Sequence, residues 1–190
     1  MRPLLVSACV AVGLFVAGCE SGSPKATPSA DLGPVADNAP YLCDLVPEKA
    51  FRAVTGLTVA LNAYWSGVPT KNGLCLAHAK GREAPLGIDW AFDGGDEILG
   101  VQRTRWAKAA THPLPAELGS GLAVINPSLG AVPRPNYVIS RFSCGKRRPW
   151  MSIDFAPVVR GRDAVRDMVD FMRIAERRFG EIHKCTPRPS

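Results

Sequence analysis

Tyr137-Val138-Ile139-Ser140-Arg141-Phe142-Ser143-Cys144, then a turn, then Trp150-Met151-Ser152-Ile153-Asp154-Phe155: this stretch decides the fold. Both runs are rich in β-branched and aromatic residues, and the connection Gly145-Lys146-Arg147-Arg148-Pro149 is polar with turn formers at its ends. They predict an antiparallel hairpin. Downstream, Val165, Met168, Val169, Met172, Ala175, Phe179 and Ile182 recur at helical spacing and predict one long helix over 162–184. The Met and Phe stripe reads as core, not as a cofactor box. A hairpin and an amphipathic helix hide their apolar faces together only if the helix lies on the sheet.

Working upstream, Leu86, Ile88, Trp90 and Phe92 alternate with Gly87, Asp89, Ala91 and Asp93, the pattern of a half-buried strand. The run 73–79 pairs with it as a second hairpin across 80–85. A short helix is expected over 47–55, with Pro47 in the first turn and Gly56 as its left-handed cap. A third helix is expected from 97 to about 109, capped by Asp96 and stopped by His112-Pro113-Leu114-Pro115. A short strand is expected over 121–126 and a proline-rich loop over 127–135. The segment 57–69 stays open between loop and a strand ending at Trp65-Ser66-Gly67. A strand-strand-helix order occurs twice, a faint sign of internal duplication. The expected architecture is α+β: an antiparallel β-sheet covered by helices, in a single domain with two disulfides.

The chain has six cysteines, at 9, 19, 43, 75, 144 and 185. Cys9 falls in the N-terminal apolar run and Cys19 closes it, which leaves an even four. None of the four forms a close-set pair of the kind zinc sites use, so two disulfides are expected. Cys144 ends its strand at the hairpin turn. The next strand runs away from the turn by roughly 23 Å, at about 3.3 Å per residue. The final helix returns by roughly 34 Å, at about 1.5 Å per residue. Its far end, with Cys185, therefore comes back to the turn. Cys144 pairs with Cys185, and by elimination Cys43 pairs with Cys75.

Val16-Ala17-Gly18-Cys19 ends an uncharged run that begins at Pro3. The run is shorter than the stretch of about 20 residues a membrane span needs, and fits the apolar region of a signal peptide, with Arg2 as a minimal positive start. The four residues read as a lipobox, with Cys19 the lipidation site; an ordinary secretory signal cut near Ala17 is the competing reading. The lipobox reading divides the chain into a signal peptide at 1–18, a lipidated cysteine and flexible tether at 19–41, and an α+β globular domain at 42–190. Residues 20–41 are rich in Ser, Pro, Ala and Gly and poor in large apolar side chains, so they cannot offset their own ordering entropy. The expected location is the extracytoplasmic face of the cell membrane, held through palmitate or a similar acyl chain on Cys19.

The formal charge of +6 is uneven. Residues 134–190 carry 13 Lys+Arg against 6 Asp+Glu, whereas 19–133 carry 9 against 11. A basic terminal third suits an anionic envelope ligand or a partner protein, and an exported, tethered protein has no occasion to meet nucleic acid. Lys146, Arg147, Arg148 and Trp150 are candidate ligand-binding residues, because arginine beside an exposed tryptophan can hold anionic or sugar-like groups by charge and stacking. The bland reading of the same residues is a solubilising turn beside a buried indole.

No nucleophile elbow, zinc-protease motif, phosphate loop or dinucleotide fingerprint occurs, and His78, His112 and His183 are scattered. No cofactor, metal or catalytic residue is therefore expected. Asp89, Asp93, Asp96 and Glu97 gather around Gly94-Gly95 without the alternating spacing of a calcium loop. The reading is a non-enzymatic ligand- or partner-binding module of the envelope. The alternative is an envelope hydrolase with an assembled acid/base site, for which the mid-strand carboxylates Asp89 and Asp154 are the residues to test.

The lipobox, the Ser/Pro-rich tether and the opening Cys43-Asp44-Leu45-Val46-Pro47, with Thr55-Gly56 after its helix, together resemble a family of small actinobacterial secreted lipoproteins of unknown function. The mature domain of that family opens Cys-x-Leu-(Leu/Val)-Pro. The resemblance implies an antiparallel sheet flanked by helices, in an extracytoplasmic sensor or ligand carrier. It brings no catalytic residue.

Overall fold

The computed structural model describes residues 33–81, 83–126 and 134–190. The expected signal peptide, the lipobox with Cys19 and most of the expected tether lie outside the described residues. In chain order the elements are β1 (Tyr41–Leu42), β2 (Val46–Pro47), α1 (Glu48–Thr55), β3 (Leu61–Ser66), β4 (Asn72–Ala79), β5 (Leu86–Ala91), α2 (Gly95–Arg105), β6 (Ala110–Pro113), β7 (Ser120–Ile125), β8 (Asn136–Cys144), β9 (Trp150–Phe155), α3 (Ala164–His183) and β10 (Pro187–Pro189). A 3-10 turn spans Ala116–Leu118.

The expected hairpin is the spine of the molecule. β8 pairs antiparallel with β9, Arg141 opposite Trp150 and Tyr137 opposite Asp154. The sheet runs in the order β3-β4-β5-β9-β8-β7-β6, with every neighbouring pair antiparallel. β10 joins β8 at Cys144, Ser143 and Phe142, beyond the end of β7. The chain is thus an α+β protein with a large antiparallel sheet, three helices among the described residues and two disulfides.

Alternation along the strands sends one set of side chains to each face. One face carries Cys75, Ala77, Ile88, Trp90, Val138, Phe142, Met151, Ile153 and Phe155, all buried. α1 contributes Phe51 and Val54 to this core, and α3 contributes Met168, Phe171, Met172, Ala175 and Phe179. α3 starts at Asp163, whose carboxylate accepts from the backbone N–H groups of Val165 and Arg166, and ends at Lys184 in the left-handed conformation. α1 follows Pro47 and is closed by Gly56 at φ 70°, where an added Cβ would lie 2.8 Å from Val159.

The other face is only partly covered. α2 lays Leu99 and Trp106 over Leu122, Val124 and Ile139. The strand-helix order repeats as β3-β4-β5-α2 and β7-β8-β9-α3, but the two helices occupy opposite faces, so the repeat of order is not a repeat of packing. α2 also departs from its expected start. It opens at Gly95 after Gly94 at φ 78°, and Asp96 is not its cap; the Asp96 carboxylate lies in the first turn and pairs with Arg141. A side chain at Gly95 would crowd the stem of Arg141, whose Cδ would be 2.8 Å away. The helix ends at Arg105, short of the expected 109, and 110–113, expected only to stop it, forms an edge strand.

Both bridges join the expected partners. Cys43–Cys75 ties the β1–β2 turn to β4, with Cα atoms 5.9 Å apart. Cys144–Cys185 ties the end of α3 to the hairpin turn, with Cα atoms 5.4 Å apart. Residues 33–40, assigned by composition to the tether, lie along the domain. Val35 packs against the core, Gly33 O accepts from Arg162, and Asp37 accepts from Tyr41 and pairs with Arg177. Among the described residues no helix is long and apolar enough to cross a membrane.

Candidate functional site

The richest concavity opens where the end of α3 meets β3, β4 and the β1–β2 turn. It is a cleft of about 340 Å³ walled by Trp65, Trp90, Phe179, Ile182 and His183, with Asp44 and Asn72 among its polar groups. Its construction starts with Gly73. Gly73 pairs with Trp90 across β4 and β5, and an added Cβ would sit 2.6 Å from Trp90 Nε1 and 2.9 Å from Trp65 Cζ3. Only a residue without a side chain lets the two indoles meet over that point.

The Trp90 ring is buried, 4% exposed, but its Nε1 is not one of the enclosed polar atoms and so opens to the cleft. Its ring is fixed edge-on by Phe92, Phe179 and His183, at centroid distances of 5.4, 5.2 and 4.9 Å. Trp65, by contrast, is 41% exposed and donates from Nε1 to Asp44 Oδ2 at 3.2 Å. Burial, reinforced by the Arg147 guanidinium, holds the His183 imidazole below its ordinary pKa and so favours the neutral ring.

Asp44 reaches this rim through an unusual turn. Cys43 and Asp44 both have positive φ, 53° and 56°, and Leu45 N–H donates back to Leu42 O at 3.1 Å. Two central residues in the left-handed region cost about 1 kcal/mol or more each without glycine. The Cys43–Cys75 bridge and the Trp65 hydrogen bond hold them there.

The sequence-predicted ligand residues are placed as follows. Lys146, Arg147 and Arg148 border a shallower hollow of about 280 Å³ beside Gly94, Gly95 and Asp96. Arg147 folds back over the Phe92 ring, 4.2 Å from its centroid, and donates to Thr70 O at 3.0 Å. Trp150 lies on the other face, packed against the α2 cluster, with its Nε1 donating to Asp93 O at 2.9 Å. The structure therefore does not join Arg147 and Trp150 into one stacking platform.

Asp89 and Asp154 do share a face, the one α2 leaves partly open. Asp154 stands opposite Gly87 and pairs with Arg134; an added Cβ at Gly87 would lie 2.5 Å from Asp154 Oδ1. Burial raises the pKa of both carboxyls; the Asp154 charge adds to the rise at Asp89, and Arg134 opposes it at Asp154. The Arg134 pair engages Asp154 as a structural partner. Among the described residues no group of three or more His, Cys, Asp or Glu side chains is placed to hold a metal ion.

The aromatic cleft was not among the sequence-predicted sites. His183 reads in the sequence as a favourable helix-end charge, Phe179 as core and Trp90 as one member of an alternating strand. The one local hint was Gly73, a glycine inside a strand pattern, which marks a close approach. No family model, no curated protein and no solved structure matches the chain.

Proposed function

We propose that this protein is a lipid-anchored envelope protein of the extracytoplasmic face that binds a small ligand without chemical turnover. The single observation that carries the ligand-binding reading is the cleft: an open, aromatic-walled concavity lined by Trp65, Trp90 and Phe179, with the Trp90 indole N–H open to it. An indole donor that reaches solvent in an apolar concavity can exchange water for an acceptor on a ligand, and apolar pockets with a few placed polar groups are where small molecules bind. The anchor rests on the lipobox at Val16-Ala17-Gly18-Cys19 and on its resemblance to actinobacterial secreted lipoproteins. The basic turn Lys146, Arg147 and Arg148 supports contact with anionic envelope material around the cleft.

Two measurements test this reading. Wild type should enter the detergent phase on phase partitioning and the Cys19→Ser variant should stay aqueous; both staying aqueous would remove the anchor. A delipidated envelope extract should shift the tryptophan emission of wild type and raise its Tm, and Trp65→Ala should abolish both effects. An extract that shifts the two proteins equally would remove the cleft as the binding site.

A further inference from the structure

Resting on the reading of the cleft as a ligand site, we infer that its ligand is a neutral sugar ring, stacked on Trp65 and hydrogen-bonded to the Trp90 indole N–H. The polar and apolar groups of the cleft are arranged for a molecule with one flat C–H face and a hydroxyl-bearing edge. The half-exposed Trp65 ring supplies the flat apolar wall, and Ile182, 46% exposed, faces the same space. Trp90 Nε1 supplies a donor on the floor. Asp44 supplies carboxylate acceptors at the rim, and Asn72, whose Oδ1 accepts from Val68 N–H at 3.0 Å, keeps its amide N–H groups as donors. Hydroxyls both give and take hydrogen bonds, so a sugar can meet donor and acceptor together.

The other ligand classes fit worse, each for a stated reason. An acyl chain would cover Trp90 Nε1 and strip its N–H of water without offering an acceptor. A cation would meet the positive edge of the Trp90 indole, and two guanidinium groups flank the cleft: Arg147 over Phe92, and Arg178, which donates to Asp44 O at 3.2 Å. An anion would meet the Asp44 carboxylate beside an imidazole that burial keeps neutral. A neutral polyhydroxylated ring avoids all three conflicts.

The test uses the full chain carrying Cys19→Ser with its disulfides closed, and reads the indole N–H signals by NMR during titration. The probes are methyl glucoside, methyl mannoside, methyl galactoside and N-acetylglucosamine, with tetramethylammonium, inorganic phosphate and decanoate as comparisons. At least one glycoside should move the Trp65 and Trp90 signals saturably, while phosphate and tetramethylammonium leave them in place. Trp90→Phe should weaken that glycoside about tenfold with an unchanged circular dichroism spectrum, Trp65→Ala should abolish binding, and Trp150→Phe, on the opposite face, should bind as wild type does. If decanoate moves the two signals and no glycoside does, the sugar assignment is overturned and the cleft remains a ligand site. If neither the probes nor an envelope extract moves either signal, both readings fall.

Discussion

Glu176 of α3 and Ser140 of β8 meet at 2.5 Å in a fully enclosed setting, and the same Ser140 hydroxyl lies 2.8 Å from Leu118 O. A hydroxyl has one proton to donate. If it goes to the Leu118 carbonyl, the Glu176 contact needs a proton on the carboxyl, which then donates to Ser140 Oγ. Burial pushes the Glu176 pKa up to about 8, against the lowering effects of the Ser140 hydrogen bond and Arg173, with Glu117 adding to the rise. A neutral, buried carboxylic acid thus links the long helix to the sheet.

Stability should therefore depend on pH in a definite direction. The folded pKa of Glu176 lies above its unfolded value near 4.5, so its contribution is complete below that value and is lost as pH rises towards about 8. Urea unfolding at pH 5 and pH 8.5 should show wild type losing about 3 kcal/mol, by an order-of-magnitude linkage estimate. Glu176→Gln, which keeps a donor for Ser140, should lose much less. Equal slopes for the two proteins would place the pH dependence elsewhere.

His183 has the opposite sign. Its pKa is depressed by burial and by Arg147, so its contribution is complete above the ordinary histidine range and falls away as pH drops below about 6.5. The imidazolium formed in acid would press against Arg147 in the aromatic cluster of Trp90, Phe92 and Phe179. Tryptophan emission between pH 7 and pH 5 should report loosening of the cleft in wild type. His183→Phe should keep a flat emission over the same range.

Removing the second bridge should weaken the molecule without dissolving it. Cys144→Ala with Cys185→Ala frees a closed loop of sequence separation 41, and a loss of about 2–4 kcal/mol is expected. The α3 stripe still packs on the sheet through Met168, Phe171, Met172 and Phe179. Hydrogen exchange should speed up at β10 and at Ser143 and Phe142, which pair with it, while β4 and β5 keep their protection. Global loss of protection would show that the bridge is needed for the fold itself.

Gly87→Ala tests the Asp154 pocket on the half-covered face. The new methyl would contact Asp154 Oδ1 at 2.5 Å and Arg134 Cζ at 3.4 Å, so the ion pair has to shift. Displacing a partly buried pair in this way should cost about 1–3 kcal/mol, read as a lower urea midpoint with unchanged slope. Gly81→Ala meets nothing within 4 Å but sits at φ +69°, and serves as the comparison for backbone strain alone.

The parts of the fold that sequence alone makes legible are those with a strong local period. β8, β9, β4, β5 and α3 announce themselves by alternation or by a 3.6-residue stripe, and the two bridges follow from the lengths of β9 and α3. The short strands β1, β2, β6 and β10 carry no period of their own; each is defined by its partner, β1 and β2 by each other, β6 by β7 and β10 by the distant β8. α2 misleads because Val101 in its middle is exposed and Gly94 takes the role expected of Asp96. The cleft is hidden for a related reason. Asp44, Trp65, Gly73, Trp90 and His183 come from separate elements, and no spacing rule connects them. Cys43 does not advertise a left-handed turn either, since such turns usually carry glycine, asparagine or aspartate, and only Asp44 is of that kind.

That turn gives the molecule a timetable. The hairpins β4–β5 and β8–β9 close over short loops, events of microseconds, and the helices settle onto them with the apolar core. Oxidation of two thiols separated by 32 positions takes seconds to hours. Until Cys43 and Cys75 join, the turn rests on the Leu42–Val46 pairing, on the burial of Leu42 and Leu45 and on the hydrogen bond from Trp65 to Asp44. The covalent lock on the rim of the cleft therefore comes last, by chemistry rather than by packing.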